Sequence, residues 1–570
     1  MNDYMAVYEH WKNYSALQPA LKEELLSLTD AREIEDRFYT HLQFGTAGLR
    51  GVIGAGTNRM NLYTVRRASH GFARYLLGLG EENREKGVAI AYDSRHLSRE
   101  FAQEAAGALA YSGIKVYLFR ELRPTPMLSF AVRHLQAAGG IVITASHNPP
   151  EYNGYKVYQA TGGQISEETA EQIWQQISAI QDELTLPTLS LEDGISRGLI
   201  QLLGDEIDHA CQEKLSTLPL NREVIAQESE RLRIVYTPLH GTGLTPVVSA
   251  LRGAGFAQLH IVDEQAAPDP GFSTVSSPNP EEAQAFALAL ELAQRVQGDI
   301  VLGTDPDADR IGMAVRTRQG EYQLLTGNQL GALLLHYILE QRSAQGTLPA
   351  NGLALKTIVS SELGRLIAEA YGVTMLDTLT GFKYIAEKIE QANLSGAYTF
   401  LFGYEESYGY LIGQFVRDKD AIQAALLLSE MAAYYKSKEM ALTDALDLLQ
   451  ERFGYFSDRQ HSIACKGKEG LAAISRLMEN LRHHPLSEAA GVQVEQVKDY
   501  LQGIEGLPAA NVLKYMLKDG SWFALRPSGT EPKLKLYVSA VDATAKRAEK
   551  KADAIKHLLV SYMQTSVQTS

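Results

Sequence analysis

Three α/β domains with mixed, mostly parallel sheets, followed by one α+β domain, is the architecture this chain encodes. Two observations carry that expectation. Short β-branched runs alternate with helical stretches through most of the sequence, and such alternation implies parallel strands covered by helices. Near the end the alternation stops. There "WFALRPSGTEPKLKLYVSA" reads as strand, loop, strand, with Leu534, Leu536 and Val538 alternating with Lys533, Lys535 and Tyr537. That period of two suits a half-exposed strand of an antiparallel sheet. The length of 570 residues, at roughly 150 per domain, also leads to about four domains.

In order along the chain, the first set of strands is "VAIAYDSR", "IKVYLF" and "IVITASHNP". The second is "LRIVYTPLHGTG", "LHIVDEQ" and "IVLGTDPDADR", and the third is "LALKTIVSS", "VTMLDTLTGFKY" and "YTFLFGYEES". Helical stretches such as "FAQEAAGALAYSG" and "SELGRLIAEAYG" separate most of them. These divisions predict domains over 1–203, 204–323, 324–452 and 453–570. In each α/β set the third strand runs into an unusual polar loop. Open α/β sheets bind ligands at the carboxyl ends of their strands, so three such ends facing one another would line a central cleft.

Composition narrows the function classes. With 54 basic and 68 acidic residues the net charge is −14, a poor field for nucleic acid. The most basic stretch, "AKRAEKKADAIKHLLV", has helical spacing and interleaved acids, as a solvated helix face does. No apolar run approaches the ~18 residues of a membrane span, and the start "MNDYMAVYEH" has no signal-peptide pattern. Cys211 and Cys465 form neither a metal spacing nor a disulfide framework. A cytoplasmic protein without membrane or nucleic-acid partners is expected.

Four loops carry chemistry. In "GTDPDADR", Asp305, Asp307 and Asp309 alternate with Pro306 and Ala308. Three carboxylates so close repel one another unless a cation sits among them, and hard oxygen ligands suit Mg²⁺ or Ca²⁺. An EF-hand is rejected, because its sixth and twelfth positions would be Arg310 and Arg316 instead of Gly and Glu. In "ALRPSGTEPKL", Arg526 and Lys533 with the hydroxyls around Gly529 suit a phosphate, although a hairpin turn explains Pro-Ser-Gly as well. "FGYEESYG" sets Glu405 and Ser407 after an apolar strand, where they could hold sugar hydroxyls, yet Glu-Glu-Ser also starts helices. "FGTAGLRG" lacks the dinucleotide-binding glycine order and reads as a loop delivering Arg50 to an anion.

Ser146 and His147 in "ITASHNPPEYNGYK" pose the choice between nucleophile and turn. The hydrolase elbow is missing, since Ala145 and His147 flank the serine. Adjacent strand side chains point opposite ways, so His147 is not expected to reach its neighbour. A serine that carries a phosphoryl group needs instead a nearby divalent metal and a base, for which Lys156 is a candidate.

Together "TASHNP", "DPDADR", "GYEES" and "RPSGTEPK", in this order, resemble the α-D-phosphohexomutase superfamily of phosphoglucomutases and phosphomannomutases across essentially the whole chain. The resemblance implies a four-domain architecture around a central cleft. It implies Ser146 as the phosphoserine and, with Asp305, Asp307 and Asp309, as a ligand of one Mg²⁺. Arg50, His147, Lys156, Arg310 and Lys419 match catalytic-cleft positions. Glu405 and Ser407 would bind sugar hydroxyls, with Thr380 and Gly381 in a specificity loop and Arg417 nearby. Arg526, Ser528, Gly529, Thr530 and Lys533 would grip the phosphate that is not transferred.

The implied reaction is interconversion of glucose 1-phosphate and glucose 6-phosphate through a phosphoserine and glucose 1,6-bisphosphate. Mutases acting on pentose or mannose phosphates share that mechanism, and a metal-dependent sugar phosphatase is a further alternative. Pro306 and Ala308 depart from the glycines common in the family's metal loop and predict a stiffer backbone there. No heptad seam is visible, so a monomer is expected.

Overall fold

A computed structural model of the chain describes residues 3–464, 467–527 and 533–568. Two compact units divide it: Met1–Leu325 with Ala386–Gly396 and Tyr408–Glu439, and Thr326–Ile385 with Ala397–Ser407 and Met440–Ser570.

The first unit contains two sheets. One holds β1 (Leu49–Val52), β2 (Val88–Tyr92), β3 (Val116–Phe119), β4 (Gly139–Ile143), β5 (Tyr152–Gln159) and β6 (Ile200–Leu203), in the order β1-β5-β4-β2-β3-β6. Strands β4, β2, β3 and β6 are parallel, while β5 runs antiparallel to both β4 and β1. β2, β3 and β4 are buried at every residue, which explains their continuous apolar sequences. Helices Leu62–Leu79 and Ser98–Tyr111 contribute Phe72, Leu76, Phe101 and Leu109 to this core.

The second sheet holds β7 (Ile234–Thr237), β8 (Leu259–Ile261), β9 (Ile300–Thr304), β10 (Ile311–Arg316) and β11 (Tyr322–Leu325), in the order β11-β10-β9-β7-β8. Its β8, β7 and β9 are parallel, and β10 folds back antiparallel on β9. Three helices precede the first sheet, at Tyr4–Asn13, Pro19–Ser27 and Ala31–Phe38. Tyr8, Trp11, Leu21, Leu25 and Phe38 give them a small core shared with Tyr63 and Leu184.

In the second unit β12 (Gly352–Thr357) lies between β13 (Thr374–Thr378) and β14 (Thr399–Glu405), all parallel. The first unit also holds the short β15 (Gly409–Leu411) and helix Ala421–Ser437. The last sheet is antiparallel throughout: β16 (Tyr455–Ala464), β17 (Glu488–Ala489), β18 (Val492–Asp499), β19 (Leu513–Leu517), β20 (Trp522–Pro527) and β21 (Lys533–Asp542), in the order β16-β21-β20-β19-β18-β17. Leu534, Leu536 and Val538 face its core, as their alternation predicts. The fold class is therefore three α/β domains with mixed sheets and a final α+β domain.

Candidate active site

Ser146 follows β4 and Asp305 follows β9, both at carboxyl ends of parallel strands. The Ser146 backbone leaves the strand in the left-handed region, with φ of 53°. Its N–H donates to Thr144 Oγ1 at 2.8 Å, and its hydroxyl donates to Asp305 Oδ2 at 2.7 Å. Ser146 Oγ also lies 3.2 Å from His147 Nδ1. This corrects the expectation that His147 could not reach its neighbour. That expectation assumed strand alternation, which ends where Ser146 turns left-handed.

Asp305, Asp307 and Asp309 are fully buried and bring ligand oxygens within 4.8 Å of one another. The loop folds back on itself: Asp305 Oδ1 accepts the N–H groups of Asp309 and Arg310 at 3.1 and 3.0 Å. Ala308 takes a left-handed φ of 47°, a conformation that glycine adopts more freely. Lys156, on β5 opposite Val142, donates to Asp307 Oδ2 at 2.9 Å. Thr125, the first residue of helix Thr125–His134, donates its hydroxyl to the same oxygen at 2.8 Å. Its N–H donates to the Asp307 carbonyl at 2.9 Å, so a helix N-terminus meets this loop. Lys419 Nζ pairs with Asp309 Oδ2 at 2.7 Å.

The electrostatics of the three carboxylates diverge. Burial, then Asp307 and Asp309, push the Asp305 carboxyl well above its ordinary range. Burial also acts on Asp307, but the Lys156 ammonium with its hydrogen bond, then Lys419, hold that carboxyl far below it. Burial and Asp307 raise Asp309. For His147, burial and then the cations Arg310 and Arg50 hold the imidazole well below its ordinary value, so it is neutral. Asp307 Oδ1 and Asp309 Oδ1 are buried and have no hydrogen-bond partner among the described residues. Such orphaned oxygens on converging carboxylates fit a hard divalent cation.

The remaining candidates divide into those near the cluster and those elsewhere. Arg310 Nε is 3.9 Å from Asp309 Oδ1, and its Nη1 donates to Glu281 at 2.6 Å. Arg50 donates to Asn148 Oδ1 at 3.0 Å, in the turn that follows Ser146. Arg417 is not brought to the cluster. It is 2 % exposed, and its guanidinium is held by Glu390 at 3.2 Å and by the carbonyls of Gln414 and Val416. In the second unit Glu405 ends β14 and accepts the Gly381 N–H at 2.9 Å, beside half-buried Thr380 and Ser407. Gly381 has φ of 114°, which favours glycine there. Arg526 lies on β20 and Lys533 begins the adjacent β21; Ser528, Gly529 and Thr530 lie outside the described residues.

Sequence reasoning missed Thr125, Arg95, Tyr158 and Asp418. Tyr158 donates to Asp418 Oδ2 at 2.7 Å, and Asp418 Oδ1 lies 3.4 Å from Lys419 Nζ. The polar run after "VAIAY" was the available signal for Arg95; nothing local marks Thr125.

Residues 41–184, 212–320 and 326–452 match the α/β/α domains I, II and III of the phosphoglucomutase/phosphomannomutase family, and 465–557 match its C-terminal domain. A phosphoglucomutase of Staphylococcus haemolyticus is 40% identical over 89% of this chain and 91% of the relative. One from Staphylococcus epidermidis is 40% identical over 92% and 95%. Among solved structures, a Thermus thermophilus protein described as a phosphomannomutase has a TM-score of 0.69 at 26% identity, covering 92% of this chain and 99% of that one. Parafusin, a phosphoglucomutase from Paramecium, shares the fold at 19% identity and a TM-score of 0.68, over 92% and 95% of the two chains.

Proposed function

We propose that this chain, which belongs to the phosphoglucomutase/phosphomannomutase family, is an isomerase that interconverts glucose 1-phosphate and glucose 6-phosphate. One observation carries the reading: Ser146 Oγ sits 2.7 Å from a buried aspartate trio in a chain this similar to named phosphoglucomutases. Ser146 is the phosphoryl carrier. A hydroxyl oxygen of the sugar monophosphate bonds to the phosphorus, and the phosphorus–Ser146 Oγ bond breaks. The attacking hydroxyl's proton is taken up at Nε2 of neutral His147 as its Nδ1–H, 3.2 Å from Ser146 Oγ, passes to the departing serine oxygen, so the imidazole ends neutral. Glucose 1,6-bisphosphate is then held, turned, and returns its other phosphate to Ser146.

Asp305, Asp307 and Asp309, with Ser146, would hold one Mg²⁺, which would neutralise charge on the transferring group. Lys156 and Lys419 hold Asp307 and Asp309 in place by the ion pairs at 2.9 and 2.7 Å. Arg50 and Arg310 attract the anionic substrate. Glu405, Ser407, Thr380 and Gly381 bind sugar hydroxyls; Arg417, its guanidinium held by Glu390 and two carbonyls, anchors the segment that carries Lys419. Arg526, Ser528, Gly529, Thr530 and Lys533 bind the phosphate at rest. Four domains, 1–203, 204–323, 324–452 and 453–570, carry these roles. The enzyme works as a cytoplasmic monomer; among the described residues no helix is long and apolar enough to cross a membrane.

The test compares kcat/KM on glucose 1-, mannose 1- and ribose 1-phosphate, with inorganic phosphate measured in parallel. Glucose 1-phosphate is expected to win without phosphate release. A wide margin for mannose or ribose overturns the substrate, and stoichiometric phosphate without isomer overturns the reaction.

A further inference from the structure

Arg95 has no part in the chemistry above, yet every N–H of its guanidinium is engaged beside Ser146. Its side chain is fully buried in the polar run that follows β2. A guanidinium has five N–H donors in a rigid fork. Here all five go to backbone carbonyls of one loop. Nε and Nη2 both donate to the Ser146 carbonyl, at 3.2 and 2.6 Å. Nη2 also donates to Asn148, and Nη1 donates to Pro149 and Tyr152 at 2.8 and 3.0 Å. The loop from 146 to 152 is wrapped around a single side chain.

The fork is itself fixed from behind. Asp93 Oδ2 lies 3.6 Å from Nε, and Asp93 Oδ1 accepts the Arg95 N–H at 3.0 Å and the Ser98 hydroxyl at 2.7 Å. Asn153, at the far end of the loop, donates to Ser98 Oγ and to the His96 carbonyl, both at 2.9 Å. The Phe272 ring packs 4.9 Å from the guanidinium carbon.

The loop needs such a hold. Ser146 occupies the left-handed region at φ of 53°, a strained conformation that a non-glycine residue keeps only where its surroundings impose it. In that conformation its carbonyl turns to Arg95 and its hydroxyl to Asp305 Oδ2. Charge-assisted bonds to a carbonyl are the stronger kind, and two of them fall on Ser146 itself. We infer that Arg95 is a positioning residue for phosphoryl transfer: its guanidinium fork imposes the backbone conformation that aims Ser146 Oγ at the aspartate cluster. The inference rests on Ser146 being the phosphoryl carrier. It adds that the carrier's aim is set by five bonds from a side chain that reaches Ser146 only through its backbone carbonyl and contacts neither the substrate nor the aspartate trio.

Lysine keeps the charge but has three donors and no fork, so it cannot reproduce the set. The experiment measures kcat and KM for glucose 1-phosphate in Arg95→Ala and Arg95→Lys, with near-UV circular dichroism to establish folding. Misplacing a reacting group by an ångström can cost about 100-fold, and a kcat loss on that order is expected in both variants. KM should change little, because the sugar-binding residues lie elsewhere. Guanidinium ion at sub-denaturing concentration should restore part of the kcat of Arg95→Ala and none in Ser146→Ala. Arg95→Lys with parental kcat, or a folded Arg95→Ala that is inactive and not rescued, overturns the inference. Should Arg95→Ala not fold, Arg95→Lys decides alone. An active Ser146→Ala with no phosphate on the parent serine would instead refute the carrier assignment, which keeps the two failures apart.

Discussion

Replacing Asp420 by Asn isolates one buried charge and gives a signed dependence on pH. Asp420 is 2 % exposed and caps helix Ala421–Ser437, its Oδ1 accepting the N–H groups of Ile422 and Gln423 at 2.8 and 3.1 Å. Burial, despite those bonds, pushes its carboxyl from 3.8 up to about 6, with Asp418 adding repulsion. The folded state thus holds this proton more tightly than the unfolded chain does. The stability it contributes is complete below about pH 4 and is lost as pH rises through about 6. Above that pH the ionised carboxylate costs roughly 3 kcal/mol, from a rise of about two pH units at about 1.36 kcal/mol each. Asparagine keeps the capping oxygen and cannot ionise. Asp420→Asn is therefore expected to match the parent near pH ~4 and to exceed its stability by up to about 3 kcal/mol at pH ~7.5.

Urea unfolding between those pH values measures it. Trp11 and Trp174 share the compact unit of Asp420, and Trp522 lies in the other, so fluorescence in a Trp522→Phe background reports the relevant unit. A stability difference that does not vary with pH, or a variant less stable than the parent at the higher pH, would show that burial of the ionised carboxylate is not what Asp420 costs the fold.

Three further outcomes are expected. Thr125→Val removes a hydroxyl bond to Asp307 Oδ2, and loss of such support weakens metal affinity by about 10–100-fold. The Mg²⁺ concentration for half-maximal activity should rise accordingly; an unchanged value counts against the site. Tyr158→Phe deletes a buried bond to the Asp418 carboxylate, worth about 1.5–3 kcal/mol, which thermal unfolding of the parent and variant will register. Asp307→Asn should abolish both Mg²⁺ binding by calorimetry and mutase activity, and retention of either would contradict the metal assignment.

The architecture was legible where burial is uniform. β2, β3, β4 and β9 are buried along their length, so their sequences are nearly continuous apolar runs without a polar alternation. The half-exposed β21 showed itself by alternation. The three N-terminal helices did not show, because each has only eight to ten residues and its few apolar contacts are supplied by residues as distant as Leu184. At the site, Asp305, Asp307 and Asp309 were readable because three carboxylates crowded into one short loop need a cation to hold them together. The reach of His147 was hidden because Ser146's left-handed turn is held by Arg95, 51 residues away in the chain, and the nearby Thr144 bond alone does not announce it. Thr125 escaped for a related reason: its partner Asp307 is 182 residues away in the chain.

Everything proposed for the site depends on Ser146 carrying the phosphoryl group. The direct measurement is a chase: enzyme labelled with radioactive phosphate is mapped by peptide mass spectrometry, then mixed with unlabelled glucose 1-phosphate. Label is expected on the Ser146 peptide, followed by its appearance in glucose 1,6-bisphosphate and then glucose 6-phosphate. Label that maps to another residue, or that leaves only as inorganic phosphate, would remove Ser146 from that role.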